Sequence, residues 1–178
     1  IAGAENDQEM QFEYLVKLMS MYPRDERTHM QVANYFLSQQ NFADAIKHYS
    51  HAAAINPEFA AAFNSLGYAQ RNNDDLSEAK KAFSRYVELL PNEANPYDSY
   101  AELLLEMGEY DEAIANYRKA IELNPNFISS YAGITVGFSL KGDAEAAQAA
   151  AVEMLAAARN DGQRQAAMFR SVTSYLFA

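Results

Sequence analysis

The chain has 178 residues, about half of them apolar, with 14 Lys and Arg against 24 Asp and Glu and a net charge of -10. That acidity disfavours phosphate backbones and anionic membrane surfaces as partners. The absence of cysteine excludes disulfides, thiolate metal sites and a cysteine nucleophile. No apolar run approaches the ~18 residues of a membrane span. The chain begins Ile1-Ala2-Gly3 rather than with Met, and a fragment of a longer protein is the expected reading.

The elements run in chain order at helical spacing. The pattern predicts ten helices, over 6–22, 27–39, 42–55, 60–72, 75–89, 96–107, 110–123, 128–141, 144–158 and 162–177, and no strand. Gln40-Asn41, Asn72 to Asp75, Gly108-Glu109 and Gly142-Asp143 mark turns. Asn41, Asp75 and Asp143 are expected N-caps, and Asn95 is expected to cap a helix that has Pro96 in its first position. The first helix, with Phe12, Leu15, Val16, Leu18 and Met19, reads as the second half of a unit whose first half is missing. Met168, Phe169, Val172, Tyr175 and Leu176 give the last helix a broad apolar stripe.

A fixed period underlies this order. Pro23, Pro57, Pro91 and Pro125 stand 34 residues apart. Val32, Leu66, Tyr100 and Ile134 share the register, as do Ala45, Ala79, Ala113 and Ala147, and Tyr49, Phe83, Tyr117 and Ala151. Small residues at one position let two helices approach, and a large aromatic four residues later fills the next layer. A 34-residue period of this kind marks a stack of helix–turn–helix units.

The stretch from Asn95-Pro96-Tyr97 through Gly108, Ala113, Tyr117, Ala120 and Pro125 resembles a tetratricopeptide-repeat (TPR) unit. So does 60–93, with Phe63, Leu66-Gly67, Ala79, Phe83 and Pro91, although Gln70 and Tyr86 depart from the usual aromatic and Ala. The resemblance runs from about Gln8 to Arg159. It implies an all-α solenoid, a right-handed superhelix of antiparallel helix pairs, within a single domain 1–178. A partial unit over 6–22 precedes four repeats, 26–59, 60–93, 94–127 and 128–161, and a terminal helix over 162–178 follows. Pro96-Tyr97 through Leu104 resembles bacterial TPR proteins, many of them exported, which implies a bacterial cytoplasm or periplasm.

The same resemblance implies that the first helix of each unit lines a concave groove. The inward positions are Arg27, Met30, Asn34 and Leu37; Asn64, Tyr68, Arg71 and Asn72; Asn95, Asp98, Glu102 and Leu105; and Ser129, Ala132, Val136 and Ser139. This mixture suits an extended peptide or a partner helix, since Asn can both donate to and accept from a backbone. The expected function is a protein-binding scaffold. The alternatives are a self-assembling solenoid joined through its terminal helices, and a regulatory arm of a larger protein. The Lys/Asn/Arg clamp that holds a chaperone's C-terminal carboxylate in this family is not matched. The corresponding positions are Met30, Asn34, Ser65, Asn95 and Ser99, of which Asn34 alone fits. One repeat on, Asn64, Tyr68, Ser99, Ser129 and Gly133 fit no better.

No nucleophile elbow, phosphate loop or zinc-protease motif occurs, so neither catalysis nor a cofactor is expected. His48 and His51 are one turn apart, yet two solvated histidines on an outer helix face are expected rather than a metal site. His29 is expected at a helix–helix contact. Gly133 and Gly137 are expected to serve close packing rather than a hinge. From 94 to 127 the net charge is -5, with Asp98, Glu102 and Glu106 recurring every four residues, so a partner carrying basic groups is expected there.

Overall fold

The structure, a computed structural model, describes residues 2–165, with side chains from residue 10 onward. Among the described residues it contains nine α-helices and no strand: α1 (Ala2–Met21), α2 (Glu26–Ser38), α3 (Phe42–Ile55), α4 (Ala60–Asn72), α5 (Leu76–Leu89), α6 (Ala94–Glu106), α7 (Tyr110–Leu123), α8 (Ile128–Leu140) and α9 (Ala144–Ala157). Helix α1 begins four residues earlier than its apolar pattern suggests. The helix expected over 162–177 lies for the most part outside the described residues, which carry helical backbone over 161–165.

The helices fall into two compact units divided at Leu89 and Leu90. In the first, α2 pairs with α3 and α4 with α5, α3 packs on α4, and α1 lies against α2. Its core joins Ala33, Ala45, Tyr49, Leu66, Ala69 and Ala82, with Met30, Phe36, Leu37 and Ile46 at the margin. In the second unit, α6 pairs with α7 and α8 with α9, while α8 also packs on α6 and α7. Its core joins Ala101, Leu104, Ala113, Ile114, Tyr117, Ile134 and Ala150.

The periodic small residues place the helices. Ala45, Ala79, Ala113 and Ala147 are each fully buried, and the aromatics Tyr49, Phe83 and Tyr117 sit one turn later in the same interfaces. Gly67 and Gly133 extend the principle. A Cβ on Gly67 would lie 2.8 Å from Cζ of Phe83, and one on Gly133 would lie 2.2 Å from Cζ of Tyr117. At Gly137 it would lie 2.8 Å from Ile114. The two glycines of α8 therefore serve close approach, as their spacing suggests.

The turn within each helix pair is the same four times. Gln40, Asp74, Gly108 and Gly142, spaced one repeat apart, all have positive φ, from 57° to 78°. The next residue's N–H bonds back five residues to the carbonyl of Phe36, Gln70, Leu104 or Phe138, at 2.9–3.0 Å. This left-handed closure satisfies helix-end carbonyls that would otherwise lack donors. The following helix is capped where expected at Asn41 and Asp143, whose side chains accept from the N–H groups of Asp44 and Ala146. The expected cap at Asn95 is not formed. Helix α6 starts at Ala94 with Glu93 as its cap residue, which places Asn95 and Pro96 inside the first turn. Proline is tolerated there because first-turn N–H groups have no helical partner.

Candidate binding surface

In the second unit, α6 and α8 run side by side, and their facing side chains frame a pocket of about 330 Å³ lined by Asp98, Glu102, Leu105, Tyr117, Ser129, Ala132, Gly133 and Val136. Six of these are inward positions expected from the repeat register. Tyr117 and Gly133 are additions. Tyr117 reaches the pocket floor because Gly133 has no side chain to cover it. The aromatic period identifies Tyr117 as a layer filler, but period alone does not expose it.

Asp98 is the polar centre of the pocket. Ser130 Oγ donates to its Oδ1 at 2.5 Å, and Ser129 Oγ lies 3.2 Å from both carboxylate oxygens. Burial pushes the Asp98 carboxyl above its ordinary pKa; the two serine hydrogen bonds oppose that rise, and the nearby Glu102 charge adds to it. Ser130 was not among the expected groove residues. It is fully buried, and the pair of hydroxyls at the start of α8 is its only trace in the sequence. Of the other positions expected here, Asn95 and Ser139 are exposed and lie outside this pocket.

In the first unit, Asn34 lines a second pocket of about 320 Å³ between α1 and α2, with Gln11, Tyr14, Leu15, Gln31, Tyr35 and Ser38. Tyr49 OH donates to Asn34 Oδ1 at 2.6 Å, so the buried aromatic fixes the amide. Arg27 and Asn72 are exposed, and Arg71 is half-buried. Met30 and Leu37 are half-buried and serve partly as core, packed against the cluster around Ala33 and Tyr49. Tyr68 meets Phe83 edge-on at 5.0 Å. Asn64 Oδ1 is buried and lacks a hydrogen-bond partner among the described residues. The structure therefore gathers Asp98, Glu102, Leu105 and Val136 into one pocket, and distributes Arg27, Met30, Leu37, Asn64, Tyr68, Arg71 and Asn72 along α2 and α4.

The three histidines come together in the first unit. His29 Nδ1 and His48 Nδ1 are 3.2 Å apart, and the His51 ring stacks on His29 with centroids 5.2 Å apart. His29 is buried at the α2–α3 contact, as expected, and His51 is exposed; His48 is half-buried rather than solvated. Among the described residues, no group of three or more His, Asp or Glu is arranged to hold a metal ion. No described helix is long and apolar enough to cross a membrane.

Comparison with known proteins agrees with this architecture. A "Tetratricopeptide repeat" family profile matches residues 32–94 and a "TPR repeat" profile matches residues 101–134, together more than half of the chain. Hsp70-Hsp90 organizing protein 2 of Arabidopsis thaliana is 29% identical over 93 residues, 52% of this chain and 16% of that protein. Hsp70-Hsp90 organizing protein of Triticum aestivum is 28% identical over 123 residues, 69% of this chain and 20% of that protein. The chain thus spans a fifth or less of these relatives' length. Among solved structures, MamA protein superposes with a TM-score of 0.78 at 24% identity, over 86% of this chain and 84% of that one. YrrB, described as a TPR protein with an unusual peptide-binding site, gives 0.75 at 17% identity, over 94% and 86%. At these identities the two structures establish a shared fold.

Proposed function

The chain belongs to the tetratricopeptide-repeat family, and on that premise we propose that it is a non-catalytic module that binds a peptide or partner protein along the first helices of its repeats. The observation carrying this reading is the α6–α8 pocket, where inward positions of two successive repeats surround one carboxylate. Such a pocket has an apolar floor, from Leu105, Tyr117 and Val136, and an acidic wall, from Asp98 and Glu102. It suits a side chain with an aliphatic stem and a cationic head, so the partner carries Lys or Arg at the contacting position. The 34-residue register continues through Leu89 and Leu90, which supports treating the chain as one repeat array. The relatives' names include chaperone organizers, but the carboxylate-clamp residues are not matched here, so a chaperone C-terminal tail is not the ligand we assign.

Selection of peptides from a random library on the whole chain tests the proposal. Basic peptides should be enriched, and enrichment should fall with Asp98→Lys together with Glu102→Lys. Recovery of peptides without basic residues, or equal recovery by the variant, would contradict it.

One observation favours a second reading. Helix α1 exposes Met10, Tyr14, Val16 and Met21, each more than half accessible. Exposed apolar side chains of that kind suit self-association. A concentration-dependent mass in light scattering, abolished by Tyr14→Ser with Val16→Ser, would support it; a constant monomer mass would count against it.

A further inference from the structure

We infer that His29, His48 and His51 form a proton-sensing cluster that loosens the seat of α1 in mild acid. The inference is independent of the binding surface on α6 and α8. Its basis is the way three imidazoles on two paired helices share one interface. His29 Nε2 lies 3.2 Å from the Pro23 carbonyl, to which only an N–H can bond, so His29 presents a bare Nδ1 to His48. His48 Nδ1, 3.2 Å away, then donates to it. His51 Nδ1 lies 2.7 Å from the Lys47 carbonyl and donates in turn. These three bonds are complete with every ring neutral.

A first added proton can be shared between His29 and His48. A second can go only to the bare Nε2 of His51, which sets like charges face to face because the His51 ring stacks on His29. The groups around the cluster do little to relieve that repulsion. From α3, Asp44 favours a charged His48 and Lys47 opposes it. From the start of α2, Asp25 is near His29, but its carboxylate is bonded to Thr28. From α1, the side chains around His48 are Phe12, Leu15, Val16 and Met19, all apolar, with Val32 and Phe36 of α2 completing a cavity of about 200 Å³. Charge on His48 would have to sit against that apolar wall, and α1 is the element that can leave it.

The direction of the linkage follows. Burial, and then the His29, His51 and Lys47 charges, lower the pKa of His48 below the ordinary imidazole value. The folded state therefore binds fewer protons than the unfolded state below about pH 6.5, and stability falls as pH drops through that window. The loss levels off below the folded-state value.

Two measurements on the whole chain test the inference. In a proton NMR titration, the His48 ring signal should have its midpoint below that of free imidazole. Between neutral pH and about pH 5.5, hydrogen-exchange protection of α1 amides, corrected for intrinsic rate, should fall roughly tenfold more than that of α4. His48→Gln should remove the difference. A His48 midpoint at or above the ordinary imidazole position would overturn the inference, as would equal loss of protection in α1 and α4. Should His48→Gln fail to fold, the wild-type titration and exchange decide alone.

Discussion

The ring of Tyr117 lies against Gly133 so closely that a methyl group on the glycine would sit 2.2 Å from the ring carbon Cζ. This contact lets α7 and α8 approach and also lets the buried Tyr117 ring line the α6–α8 pocket. Gly133→Ala should therefore displace the ring and cost about 1–3 kcal/mol, the usual range for overpacking. Chemical denaturation of the variant beside the wild type checks the magnitude. An unchanged midpoint would mean that the ring has room to move.

The repeated left-handed turn gives an opposite pair of expectations. Gln40 and Asp74 adopt positive φ with a side chain present, whereas Gly108 and Gly142 reach it without steric cost. Gln40→Gly should stabilise the chain by about 0.5–1 kcal/mol, because relief of the left-handed conformation outweighs the added unfolded-state entropy. Asp74→Gly should gain less, since Asp tolerates this region better. Gly108→Ala should destabilise by about 1 kcal/mol. Thermal melts of the three variants test the ordering.

Asp98 is held in the pocket at a cost to stability. Its pKa is raised by burial, so the folded state binds more protons than the unfolded state as pH falls through the carboxylate range. Its unfavourable contribution is therefore largest at neutral pH and is lost in acid. Asp98→Asn should raise the melting temperature near neutral pH and have little effect where Asp98 is already protonated. Ser130→Ala removes the 2.5 Å hydrogen bond and should raise the Asp98 pKa further, which carboxyl-carbon NMR would read directly. A lower Asp98 pKa in that variant would refute the assignment.

The fold was legible in the sequence because it is written in period. Prolines, alanines and aromatics at 34-residue spacing specify repeated interfaces, and the helix boundaries follow to within a few residues. The Asn95-Pro96 pair is a strong local cap signal, yet α6 begins at Ala94, two residues before the expected start at Pro96. The pocket was legible in part. Register identified Asp98, Glu102, Leu105 and Val136, but pocket depth depends on Gly133 and on the Ser130 hydroxyl, which period does not mark. The histidine cluster was hidden because His29 and His48 are 19 residues apart on different helices, and only the α2–α3 pairing joins them.

The central proposal, a cation-accepting pocket on α6 and α8, is tested most directly by chemical-shift mapping. A library-selected basic peptide would be titrated into isotope-labelled whole chain at low and at physiological salt. The account predicts the largest perturbations at Asp98, Glu102, Ser129, Ser130 and Val136, with weaker binding as screening shortens to ~8 Å. It also predicts that binding is lost at low salt in Asp98→Lys with Glu102→Lys. Perturbations confined to the opposite helices α7 and α9, or binding unaffected by that double substitution, would contradict it.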